Sequence, residues 1–315
     1  EYLEKSMNEL CEVATGLKFP EGPIAMPNGD VVLVEIARQT LSRVRPNGAI
    51  EVIAETGGGP NGAAIGPDGA CYICNNGGFR WHIKGDKHLP GYQDETYSGG
   101  RIERVDMETG EVSVLYTECD GNALRGPNDI VFDKSGGFWF TDHGKIRHRD
   151  EDRTGVYYAK SDGSFITEAI FPVNGPNGIG LSADEKTLYV AETHAGRCWS
   201  YEIAEPGKIV RGNGEAPWEP GKLLLGVSDY RFFDSLAIDS GGNICIGTIA
   251  RSGITVVAPE GGELEHVPTP GDMYATNICF GGEDLRTAYI TLSSTGKLVS
   301  MEWPRPGLPL NFLNK

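Results

Sequence analysis

The sequence predicts an all-β fold: a six-bladed β-propeller with four antiparallel strands per blade, forming a single domain over residues 1–315. Two observations predict it. A unit recurs six times, and a period of 20–50 residues marks arrays and propellers. No segment sustains apolar spacing at i, i+3 and i+4, so helical architectures are excluded.

The units are FPEGPIAMPNGDVVLVE from Phe19, GGPNGAAIGPDGACYICNN from Gly58, RGPNDIVFDKSGGFWFTD from Arg125, NGPNGIGLSADEKTLYVAET from Asn174, RFFDSLAIDSGGNICIGTI from Arg231 and MYATNICFGGEDLRTAYITL from Met273. Each reads as a polar head, a short apolar strand, a Gly/Asp-rich turn and a second apolar strand. Third strands follow most units, as in TLSRVRPNG and GVYYAKSDG, and fourth strands follow several, as in IEVIAET and EVSVLYTE. A propeller must close its ring, and the segment from Leu10 to Phe19 is placed to supply the outer strand of the last blade. One interruption, about residues 79–99 (FRWHIKGDKHLPGYQDETYSG), is rich in aromatics, His and Gly. A loop of this length predicts a lid or pocket wall. A second long connection, residues 205–222, is expected to be a surface loop.

Composition narrows the function. With 44 Gly and 19 Pro the chain suits many short strands and turns, and 39% hydrophobic residues exclude a disordered chain. A net charge of −16 argues against nucleic-acid partners. No apolar run reaches membrane-spanning length, and EYLEKSMNELCEV at the start has no apolar leader core, so no membrane partner and a cytoplasmic setting are expected. Most of the seven Cys lie in apolar runs and read as buried free thiols. The Cys71-x-x-Cys74 pair alternates faces of a strand and lacks partners for a zinc set. Gly-x-Ser-x-Gly, the P-loop and the dinucleotide fingerprint are absent.

Aligning the units isolates one position. An apolar strand residue (Ala25, Ile65, Phe132, Leu181, Ile238, Phe280) stands four residues after each head, so the heads are Glu21, Asn61, Asn128, Asn177, Asp234 and Thr276. In a propeller the first strand of each blade lines the central channel, so these heads should form one ring of oxygen-bearing side chains. Two acids facing each other in a channel are costly without compensation, and a hard divalent cation supplies it.

The set EGP at Glu21, PND at Asn128, PNG at Asn177 and FDS at Asp234 resembles the gluconolactonase family, which includes regucalcin (senescence marker protein) and the squid-type diisopropyl fluorophosphatases. The resemblance runs from about Leu17 to Trp303. It implies one catalytic divalent metal held by Glu21, Asn128, Asn177 and Asp234, with Ca²⁺ first and Zn²⁺, Mn²⁺, Fe²⁺ or Mg²⁺ as alternatives. Some relatives turn the third-blade Asn to substrate, so Asn128 has two roles open to it. Animal members carry an Arg two residues before that Asn. Here Arg125 stands three before, which puts its substrate role in question.

The chemistry so implied is hydrolysis of a small sugar-type lactone by metal-activated water, with Asp234 as first choice of base and Glu21 as second. Asn61, Arg125, Asn128, Thr276 and His143 are the substrate-binding expectations, with Arg251 and Tyr274 as further wall groups. The alternatives are a phosphotriesterase of the diisopropyl fluorophosphatase type and a non-enzymatic metal- or ligand-binding propeller. The oligomeric state is left open.

Overall fold

The computed structural model describes residues 9–315, and it forms a ring of six antiparallel sheets. The innermost strands are Pro20–Ala25, Pro60–Ile65, Pro127–Phe132, Pro176–Leu181, Phe232–Ile238 and Ala275–Gly281. Each lies against the next, and the sixth returns against the first. The charged start of the chain, on which the cytoplasmic expectation rested, lies mostly outside the described residues. Among the described residues, no helix is long and apolar enough to cross a membrane.

The ring closes as the sequence predicts. Cys11–Ala14 pairs antiparallel with Lys297–Glu302, so the N-terminal strand completes the sixth sheet begun by the end of the chain. The Lys297 ammonium also donates to Glu12 across this seam at 2.7 Å.

Face-to-face stacking of the sheets supplies the core. Six buried apolar clusters occupy the six interfaces between neighbouring blades. Strand alternation explains why the central strands are apolar throughout. Val31 and Leu33 pack toward the sixth blade, while Val32 and Val34 pack toward the second. In the third blade Phe138 and Phe140 face the second blade and Trp139 faces the fourth. All six cysteines other than Cys11 are buried, and none is disulfide-bonded. Burial alone pushes the Cys71 thiol up to about 12, which fits an inert packing role.

Two features were not read from the sequence. The outer strand of the fourth blade is Lys222–Gly226, which follows the long connection expected as a loop. Within that connection Trp218 is 84% exposed, as a surface loop requires. The insertion contains a hairpin, Trp81–Lys84 with Lys87–Pro90. It leans over one channel mouth, its His88 amide donating to Ser294 O in the sixth blade and its Gln93 amide to Ile146 O in the third. Residues 308–315 cover the other mouth, where Asn311 donates to Phe132 O and to Glu185.

Removing residues 1–14 exposes the Lys297–Glu302 edge and breaks the seam. We expect the melting temperature to fall by roughly 5–10 °C. An unchanged melt would show that the seam contributes little to closure.

Candidate functional site

One irregularity recurs in all six innermost strands. The register with the second strand shifts at or beside the head: between Glu21 and Ile24, Pro60 and Ala63, Pro127 and Ile130, Pro176 and Ile179, Phe233 and Leu236, and Ala275 and Asn277. A bulge bends a strand and re-aims a side chain. Here it turns five of the six heads, all but Thr276, out of the pleat at one end of the channel.

The residue after the head must then pass very close to the next blade. A Cβ on Gly22 would stand 2.6 Å from Asn61 O, on Gly62 2.4 Å from Asn128 O, and on Gly178 2.6 Å from Asp234 O. Glycine is therefore required at these three positions. Where the residue is not glycine, its side chain bonds the neighbour. Asp129 accepts from the Ile179 amide at 3.2 Å, and Asn277 donates to Glu21 Oε2 at 2.9 Å.

The loop before four of the six heads is pinned from the second strand. Glu35 accepts from Lys18 N, Asn75 from Gly59 N, Glu192 from Asn174 N, and Asp142 from the amides of Arg125, Gly126 and Gly144. These buried acceptors fix the backbone on which the heads stand.

Glu21, Asn61, Asn128, Asn177 and Asp234 converge on the floor of a cavity of ≈ 310 Å³ at this mouth. All five are buried. Glu21 uses one oxygen, Oε2, for both the Gly22 amide and Asn277. Asp234 Oδ1 accepts from the Ser235 amide at 3.1 Å. Asn177 donates to Thr193 Oγ1, and its own oxygen accepts from Ser235 Oγ at 3.4 Å. Asn128 Oδ1 is buried with no hydrogen-bond partner. Burial raises the Glu21 carboxyl above its ordinary range. Burial and then the Glu21 charge raise Asp234 further still.

This donor set fits a hard divalent cation. It offers an orphaned amide oxygen, carboxylate oxygens left free by the contacts above, and two acids that repel each other when both are ionised. Among the described residues no three His, Cys, Asp or Glu side chains gather as a metal cluster; the ring carries two carboxylates, and amides complete it.

The other expected residues divide. His143 lines the cavity, half-buried, with Nδ1 enclosed and unpartnered. Burial, then nearby His194 and Lys145, pulls it down to about 4, so the imidazole is neutral near neutral pH. Tyr274 also lines the wall. Thr276 does not; it is fully buried behind Glu21 and bonds Thr291 and Ser293. Arg125 lies outside the cavity, with Nε on Asp152 at 3.0 Å and its guanidinium against Tyr97. Arg251 is exposed and paired with Asp229.

Among the wall residues that no motif singled out, Phe79 and Lys145 make one contact. Phe79 opens the insertion and forms part of the wall. Lys145, also on the wall, is buried beneath it; its ammonium donates to Gly78 O at 2.7 Å and Asn76 Oδ1 at 3.2 Å, and lies 3.9 Å from the Phe79 ring centre. The expected lid or pocket wall is thus a wall, anchored by a lysine two residues after His143.

The chain resembles known proteins along most of its length. The family model described as "SMP-30/Gluconolactonase/LRE-like region" matches residues 19–294. The chain belongs to the SMP-30/gluconolactonase/LRE-like family. A gluconolactonase of Zymomonas mobilis is 26% identical over 310 residues, which cover 89% of this chain and 78% of the relative. Lactonase drp35 of Staphylococcus saprophyticus is 27% identical over 245 residues, covering 77% and 67%. Among solved structures, a gluconolactonase from Xanthomonas campestris aligns with a TM-score of 0.73 at 22% identity, covering 94% of this chain and 90% of its own. The calcium-binding protein regucalcin from Agrobacterium tumefaciens aligns with a TM-score of 0.69 at 16% identity, covering 93% and 95%. The last two likenesses speak to the fold alone.

Burial holds the Lys145 ammonium down to about 7 against an ordinary 10.5. Between those values the unfolded chain keeps a proton that the folded protein has lost, so this group's contribution to stability rises with pH. Lys145→Met removes the burial cost. The variant's stability relative to wild type should be more favourable at pH 6 than at pH 9.5, by on the order of 2 kcal/mol. Denaturant melts at both pH values measure it; a pH-independent difference would contradict the assignment.

Proposed function

We propose that this protein is a lactonase that hydrolyses a small cyclic ester over the oxygen ring at the channel mouth. The observation that carries the reading is the convergence of Glu21, Asn128, Asn177 and Asp234 on one cavity floor, with Asn128 Oδ1 unpartnered. Relatives named gluconolactonase and lactonase drp35 support the same reaction class.

The four heads would hold one divalent cation, with Ca²⁺ favoured by an all-oxygen donor set. Bound there, it supplies Lewis-acid polarisation of the ester carbonyl and compensates the charge that develops on its oxygen. The chain's own groups do the rest. Glu21 is fixed at Oε2 by Asn277 and the Gly22 amide, which suits a ligand more than a moving base. Asp234 has a single contact on Oδ1, which leaves Oδ2 to take a proton from the attacking water. The water oxygen bonds to the carbonyl carbon and the ring C–O bond breaks. The proton held by Asp234 passes to the departing ring oxygen, giving the open hydroxy acid. Neutral His143 lines the wall beside the substrate as an uncharged polar ring, and the insertion wall limits water entry.

One observation favours phosphotriester hydrolysis as a second reading: much of the wall is aromatic, as a site for apolar esters would be. The decisive assay strips the protein with chelator and re-adds Ca²⁺, Mn²⁺, Zn²⁺ or Fe²⁺, following acid release from a lactone panel and from diisopropyl fluorophosphate. Chelation should abolish lactone opening and Ca²⁺ should restore it. Hydrolysis of the fluorophosphate with no lactone opening under any metal would overturn the proposal. Asp234→Asn should lower kcat by about 10³-fold or more, with the metal-free melting temperature equal to or above wild type, because one of two repelling acids is gone. Near-normal turnover would remove Asp234 from the mechanism.

A further inference from the structure

The cavity wall is sorted by blade. From the fifth blade through the sixth and first to the start of the insertion it presents Phe232, Ile249, Tyr274, Phe19, Ile36 and Phe79. The polar side chains above the floor, Gln93, His143, Lys145, Thr193 and His194, lie on the third and fourth blades and the far end of the insertion, with Ile146 and Tyr92 among them. Several of these are already committed. Lys145 donates to Asn76 and Gly78, Thr193 accepts from Asn177, and the Gln93 carbonyl accepts from Arg147.

The rings of the apolar arc also pack on one another and on their neighbours. Phe19 packs on Tyr274 with ring centres 5.9 Å apart and on Trp81 at 5.2 Å. Phe79 packs edge-on against Trp81 at 6.0 Å, and its own ring centre lies 3.9 Å from the Lys145 ammonium. Phe232 is held between His194 and Tyr230.

A polyhydroxylated ring centred over Asp234 would press hydroxyl groups against this arc. Each would lose its water without gaining a partner, which costs binding. An alkyl or aryl group in the same place gains roughly fourfold per buried methylene. We propose that the preferred substrate is a lactone bearing an apolar substituent, with its ester over the oxygen ring and its alkyl or aryl group against Phe19, Phe79, Phe232 and Tyr274. This rests on the lactonase reading and goes beyond it by naming the substrate class.

The test compares kcat/KM for δ-valerolactone, its butyl-substituted analogue δ-nonalactone and D-glucono-δ-lactone, each divided by its own alkaline hydrolysis rate. The nonalactone should exceed the valerolactone by at least about tenfold, and the gluconolactone should not exceed the valerolactone. Phe79→Ala and Tyr274→Ala, each shown to be folded by its melt, should each lower the ratio of nonalactone to gluconolactone about tenfold. Preference for the gluconolactone, or a ratio unmoved by both substitutions, would overturn the inference while leaving the lactonase reading standing. Failure of all three lactones would overturn both.

Discussion

The structure depends on a register shift repeated in all six innermost strands. Without it the head residues would stay in the pleat, alternating between two packed faces as Val31 to Val34 do. With it Glu21, Asn128, Asn177 and Asp234 leave the sheet plane at one level of the channel. The cost is borne by the next position, where Gly22, Gly62 and Gly178 have no room for a Cβ. A second repeated device holds the shift in place: acceptors at the ends of the second strands, Glu35, Asn75, Asp142 and Glu192, bind the amides just before the heads. The rigid part of the site is thus built from backbone and buried hydrogen bonds, and the variable part from loops at the rim.

Much of this was legible in the sequence because a propeller writes its architecture six times. The head position and the closure through Leu10 to Phe19 could both be read by aligning units. Thr276 shows the limit. It occupies the head position, but its short side chain turns to Thr291 and Ser293, and the register shift of its blade spans one residue fewer than in the others. Asn277, one residue on, makes the contact to Glu21 instead. The alignment located the position but could not say which neighbour would present its side chain.

The rim was less legible because its residues come from segments without a repeat. Phe79 and Lys145 are 66 residues apart in the chain, and only the path of the insertion brings the ammonium onto the ring. Arg125 illustrates the converse. Its backbone is fixed by Asp142 in the turn that presents Asn128, while its side chain is drawn away by Asp152. The extra residue between Arg125 and Asn128 was the signal that separated it from the arginine of animal relatives. The fourth blade's outer strand was missed for a simpler reason: a Pro- and Gly-rich connection delays it past the expected place.

The central claim is that the register-shifted heads form a cation site on the channel axis. Anomalous diffraction from crystals soaked in Mn²⁺ tests it directly, since the ion is visible whatever the substrate proves to be. The account predicts one strong peak within bonding distance of Glu21, Asp234 and the Asn177 and Asn128 side-chain oxygens. A channel with no peak, or a principal peak away from these four residues, would contradict it.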